Sequence, residues 1–271
     1  MEETNTKISI YKYPAIYSST QYFRYMNELA KKLESDEEIL DKHPTSENQM
    51  AYKTNLLIYH WLHINGTVMN GALAESKLDY QKDGWFIWLQ TFDFTVSGKP
   101  FMDNDEKFTY CFDKFFDDNF LSIDYGGRYW METINNYKNG QYYSCVCGLF
   151  PLIEFFQKRI SKFDGKSIFN IKKSLKESQV KDLSGYKNYF EKFESNLNEF
   201  LTKNVYAVST EMDEEPKFIC RNRVLHGIFT RDINKTDCLK LFCIVKSMVE
   251  FLNWLHSLEE IRRLSAELKQ K

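Results

Sequence analysis

Glycine, proline and arginine are scarce in this chain: 11 Gly, 5 Pro and eight Arg among 271 residues. So few turn-forming residues argue against many short strands joined by tight turns and favour long helices. No uninterrupted apolar run approaches the ~20 residues that cross a bilayer, so no membrane span is expected. The start, "MEETNTKISIYKYP", lacks a basic segment followed by an apolar one. No signal peptide is therefore expected, and the cytoplasm is the default location. A net charge of only −2 excludes attraction of the whole surface to polyanions. Nucleic acid or an anionic membrane would have to meet a local basic patch.

Signals for metals and cofactors are also missing. "SGKP" at 97–100 lacks the upstream glycine of a phosphate loop, and no His-Glu-x-x-His pair occurs. His43, His60, His63 and His256 are too scattered to form a metal cluster. The six cysteines (Cys111, Cys145, Cys147, Cys220, Cys238, Cys243) lie in apolar, helix-like contexts. They read as buried reduced thiols rather than disulfides. Cys145 and Cys147 are spaced too tightly for the usual zinc pair, and no second pair accompanies them. No metal and no cofactor is expected.

What is present is a globular composition, 43% apolar and 27% charged, long enough to bury a sizeable core. The 22 Phe, 17 Tyr and 5 Trp recur at helical spacing with Leu and Ile, which places them in that core rather than on base-stacking surfaces. Helices are expected over 18–35, opened by Ser18 to Thr20 and followed by a polar connection closed by Pro44, and over 48–64, ended by Gly66 and Gly71. The aromatic and branched stretch 85–98 fits either a short strand pair or a buried helix, and 104–119 reads as a further helix. Gly126 and Gly127 then mark the clearest division: a mostly helical region of unknown role, 1–128, and a helical domain, 129–271. The fold class expected is mainly α, with a bundle of four or five helices in the second half.

In that half, "GQYYSCVCGLFPLIEFFQKRI" puts Val146, Leu149, Phe150, Ile153, Phe156 and Ile160 on one face, with a kink expected at Pro151. "YKNYFEKFESNLNEFLTK" continues the bundle. In "TDCLKLFCIVKSMVEFLNWLHSLEEI", Thr236 is the expected N-cap. Cys238, Leu241, Phe242, Val245, Val249, Leu252 and Leu255 form a seam long enough to pack on its own bundle and on a neighbour. The closing "EEIRRLSAELKQK" reads as a solvated, charge-paired helix end.

Three of the eight arginines, Arg221, Arg223 and Arg231, fall within "FICRNRVLHGIFTR". If Glu215 to Gly227 is one helix capped by Gly227, then Phe218, Val224, Leu225 and Ile228 share an arc with Arg221 near its middle. Asn222 and His226 lie on the adjoining edge, and Arg223 points to solvent. A guanidinium on an apolar face needs a partner: an internal carboxylate, a subunit interface or an incoming phosphate. Glu154, on the flank of the "GLFPLIEFF" stripe, is the natural internal candidate. A buried bridge of that kind would cost ~3–5 kcal/mol to break.

"RNRVLHG" resembles the signature of the HEPN superfamily (higher eukaryotes and prokaryotes nucleotide-binding), an arginine, a polar residue and a histidine four to six positions on. An earlier helix like "NGQYYSCVCGLFPLIEFF", with its Phe-Pro and glutamate, and a later one like "TDCLKLFCIVKSMVEFL", complete the resemblance over roughly 129–260. It implies an all-α bundle, often a homodimer with two motifs facing across a cleft. In active members it implies metal-independent endoribonuclease activity. Arg221, Asn222 and His226 are then the catalytic candidates, Arg223 and Arg231 the candidates for flanking RNA phosphates, and Glu154 a supporting residue. A role in antiphage defence or as a toxin, with an antitoxin or inhibitor as partner, follows by family analogy alone. The other reading is a non-catalytic HEPN module that binds nucleotide or RNA or serves dimerisation. A purely structural helical protein with an Arg221–Glu154 bridge is the third.

Overall fold

Few glycines and prolines, and apolar residues recurring at helical spacing, give a chain of long helices. A computed structural model describes residues 19–75, 84–86, 127–162, 183–207, 218–228 and 231–267. Among them are seven α-helices, one π-helical turn and no strand: a mainly α protein. The strand-or-helix stretch 85–98 and the helix expected over 104–119 lie outside the described residues, apart from Trp85 and Phe86. The described residues fall into two compact units, 19–66 with 256–267, and the rest.

In the first unit, α1 (Ser19–Lys42) runs seven residues past its expected end at Ser35, through the stretch read as a polar connection, and the first part of α2 (Ser46–Glu75), up to Gly66, follows. Thr45 caps α2, its Oγ1 accepting from the Asn48 N–H at 3.2 Å. The second helix was expected to stop at Gly66 and Gly71, yet α2 runs through both to Glu75. An isolated helical glycine lowers stability by only about 1 kcal/mol relative to alanine, which neighbouring turns outweigh. Met26 and Leu29 of α1 pack with Ile58 and Tyr59 of α2. The closing helix end is charge-paired as expected, Arg263 bridging Glu260 at 2.6 Å and Glu267 at 2.7 Å.

The second unit is built on α3 (Gly127–Lys138), α4 (Tyr142–Lys162), α5 (Leu183–Phe200), α6 (Arg221–Leu225) and the first turns of α7 (Lys235–Glu267). The apolar stripe of α4 is buried as its spacing predicts, from Val146 to Ile160. Pro151 stands on the exposed side of α4, and the helix continues across it. Gly148 lets α3 come close, for a Cβ there would meet Thr133 Oγ1 at 2.5 Å.

Helix α7 departs from the expected one-sided seam. From Asp237 to Val245 every residue is buried, and Ser247, Met248 and Val249 follow. A helix apolar on all sides belongs at the centre of a bundle. Phe242 meets Trp130 and Tyr137 of α3, and Phe251 stacks on Phe193 of α5 at 3.8 Å. Cys238 Sγ donates to the Tyr142 carbonyl of α4. The seam is therefore spent within one chain. Its N-cap is Asn234 rather than Thr236. Asn234 Oδ1 accepts from the Asp237 N–H, and Asp237 Oδ2 accepts from the Asn234 N–H, at 3.2 and 3.0 Å. This reciprocal box places a carboxylate in the first turn, where the helix dipole favours it.

Described cysteines are free, and all but Cys147 are buried. A hydrogen bond with Cys145 and then burial push the Cys238 thiol far up, and burial alone does so for Cys243. These are core thiols, held protonated and unreactive.

Candidate functional site

The motif folds differently from one long amphipathic helix. Phe218 to Cys220 precede the helix in non-helical backbone with all three side chains buried, and α6 spans only Arg221–Leu225. The residues proposed to begin the helix, 215–217, lie outside the described residues. Gly227 does end it, at φ +68. The Ile228 N–H reaches the Arg223 carbonyl and the Gly227 N–H that of Val224, at 2.9 and 3.2 Å, the double bond of a Schellman turn.

The changed phase moves three expected positions. Arg223, expected in solvent, is only 7% exposed, whereas Leu225 and Ile228, expected on the buried arc, are exposed. Phe218 and Val224 are buried as expected. A single helical turn after an extended entry has no continuous stripe, so the wheel drawn from Glu215 misplaces residues on it.

Arg221 and Glu154 do meet. Nε lies 2.8 Å from Oε1, and each side chain keeps about a third of its surface in water, at 33% and 35%. The Nε–H is not aligned on an acceptor, so the contact is an ion pair rather than a well-formed hydrogen bond. Tyr143, on the same face of α4 eleven residues earlier, donates to the Val224 carbonyl at 3.2 Å. Two contacts thus pin α6 along α4, one at each end of its single turn.

Asn222 does not turn towards His226. Its Nδ2 donates to the Ala207 carbonyl at 3.4 Å, which also accepts from Cys220 Sγ. His226 caps α6 through its backbone N–H to the Asn222 carbonyl at 3.0 Å, and its side chain is exposed. Arg231 is drawn into the α7 cap, its two Nη atoms holding Asp237 at 2.6 and 2.7 Å, and Asp237 is buried. Of the expected site residues the structure joins Arg221 to Glu154, leaves the His226 side chain exposed on the same short turn and ties Asn222 to Ala207, while Arg223 is buried and Arg231 serves Asp237.

Tyr206 is a member of the site that its spacing in the sequence does not mark. The π-helical turn Leu201–Val205 closes α5, with the Tyr206 N–H bonded to the Leu201 carbonyl at 2.8 Å. This turn delivers Tyr206 and Ala207 to α4 and α6. The Tyr206 hydroxyl donates to Gln157 Oε1 at 3.2 Å. Burial first, then the Glu154 carboxylate, push its phenol up to about 12, with Arg221 acting in the opposite sense. A lone tyrosine at a helix end carries no motif by which sequence reasoning could single it out.

An arrangement of this kind presents a fixed guanidinium, an exposed imidazole and a protonated phenol. Such groups bind an anion and move a proton. Among the described residues no three His, Cys, Asp or Glu side chains converge as a metal-ligand set, and no helix is long and apolar enough to cross a membrane. Comparison with protein-family models, with curated proteins and with solved structures finds no match to this chain.

Proposed function

We propose that the chain is a HEPN-type endoribonuclease that cleaves RNA without a metal, using the ribose 2′-OH as nucleophile. The observation that carries this reading is the held but half-open state of Arg221. Glu154 engages it through Nε, and among the described residues its Nη groups have no hydrogen-bond partner, so the planar fork is presented for a phosphate. His226, exposed five residues on, takes the 2′-OH proton. The 2′-oxygen attacks the adjacent phosphorus, negative charge gathers on the phosphoryl oxygens, and Arg221 stabilises it. The 5′-oxygen departs with a proton, leaving a 2′,3′-cyclic phosphate and a 5′-hydroxyl.

One His226 supplies one proton-transfer group, and cleavage benefits from an acid and a base on opposite sides of the phosphate. A two-fold homodimer bringing both motifs to one cleft provides the second. Exposed Leu225 and Ile228, flanking His226, offer apolar surface for it. A role in antiphage defence or as a toxin, with an antitoxin or inhibitor, belongs to the same proposal by family analogy. The test is RNA beside the same strand carrying 2′-deoxy sugars: the first should be cut to cyclic-phosphate ends and the second left intact. Equal cleavage of both would exclude 2′-OH attack.

A further inference from the structure

Tyr143 is 55% exposed, more than any other large hydrophobic side chain among the described residues for which exposure is given, yet its ring is not loose. Its hydroxyl donates to the Val224 carbonyl at 3.2 Å. An exposed aromatic side chain held at its polar end offers a fixed face without the ordering that a free side chain would need on binding. Its place on α4 matters as much. Eleven residues separate Tyr143 from Glu154, three turns that return to within about 20° of the same face and rise about 16 Å. Glu154 holds Arg221, and Tyr143 holds the other end of the same short helix. The ring therefore stands along α4 from a guanidinium whose Nη groups have no hydrogen-bond partner among the described residues.

Building on the nuclease reading, we propose that Tyr143 is a base-stacking subsite of that site, which makes the substrate single-stranded RNA. A base stacks on the tyrosine face while a neighbouring phosphate of the same strand meets Arg221. The π-face of any base serves, so the subsite selects unpaired strand rather than sequence. A duplex hides those faces within its own stack, and its bases reach Tyr143 only after unstacking. The cationic neighbour favours a nucleic-acid strand over an apolar protein segment on this face, since the strand brings a phosphate for Arg221 to meet.

The experiment uses the full chain with His226→Ala to stop turnover, in EDTA. A short fluorescein-labelled single-stranded RNA is titrated and its anisotropy read, beside the same strand annealed to its complement. The single strand should bind tighter than the duplex. Adding Tyr143→Ala should weaken single-strand binding by about 5- to 150-fold, the range for losing one stacked base. Tyr143→Leu, which keeps bulk but has no π-face, should lose as much, and Tyr143→Trp should retain binding. Melting curves of the variants check that each is folded. Equal binding of strand and duplex, or unchanged binding with alanine and leucine, would overturn the subsite while leaving the nuclease reading intact, because wild-type cleavage of the unlabelled strand is scored separately. Absence of both cleavage and binding would overturn the two together. Self-association lost with Tyr143→Ala while RNA binding stays constant would assign this face to a second copy of the chain and overturn the subsite.

Discussion

Arg221 and Glu154 each keep about a third of the side chain in water, and that single fact resets the energetics of the pair. A fully buried bridge would cost ~3–5 kcal/mol to break, whereas a water-screened one contributes about 1 kcal/mol or less. Arg221→Ala should therefore melt within about 1 kcal/mol of the wild type in a denaturant titration, while RNA cleavage falls by about two orders of magnitude or more. A large loss of stability with unchanged cleavage would make the pair a bridge and nothing else. Tyr206 gives a pH signature. Its folded pKa, about 12, stands above the ordinary 10.0, so the folded state holds the phenolic proton more tightly. That contribution is complete below about pH 10 and disappears as pH rises through about 12. Subtracting the stability of Tyr206→Phe from that of the wild type should show this alkaline decline; a flat difference would contradict the assignment. The Arg221–Glu154 meeting was legible in the sequence because a charge among apolar residues demands a partner. Arg223 was not, because its inward turn depends on where the helix starts, and the extended entry at Phe218–Cys220 carries no residue type that announces it.

Among the elements, α4 was read from the sequence most faithfully. It has one wet and one dry face, so its apolar spacing shows. Helix α7 shows the opposite: buried on nearly every side over its first turns, it has little contrast between faces, and a seam picked from its apolar residues captures only part of the packing. The glycines of α2 misled for a related reason, since a break expected from local preference yields to a long helix around it. At Gly148 the glycine does carry structure. Alanine there would normally stabilise a helix by up to about 1 kcal/mol, but its Cβ would meet Thr133 Oγ1 at 2.5 Å. That hydroxyl is on a short branched side chain and is already bonded to the Tyr129 carbonyl at 2.9 Å, so it has little room to withdraw. Gly148→Ala should lower stability by about 1–3 kcal/mol, as overpacking does. Thr133→Ala added to it should restore part of the loss in the same thermal melts. A neutral Gly148→Ala would mean that α3 and α4 are not so closely packed.

At the scale of the whole molecule, the proposed dimer is assigned to the motif face, because the buried apolar residues of α7 are already covered within the chain. Mixing Arg221→Ala and His226→Ala chains should recover part of the cleavage if two chains share one site and exchange. A fully active monomer in light scattering would exclude the shared site. The central claim, that this motif cleaves RNA with its own side chains, is tested most directly by one measurement. Wild-type and His226→Ala proteins from parallel preparations are incubated with single-stranded RNA in EDTA. The account predicts cleavage by the wild type, undiminished by the chelator, and its loss in the variant. Cleavage that disappears in EDTA and returns with a divalent cation, or that persists unchanged in His226→Ala, would contradict it.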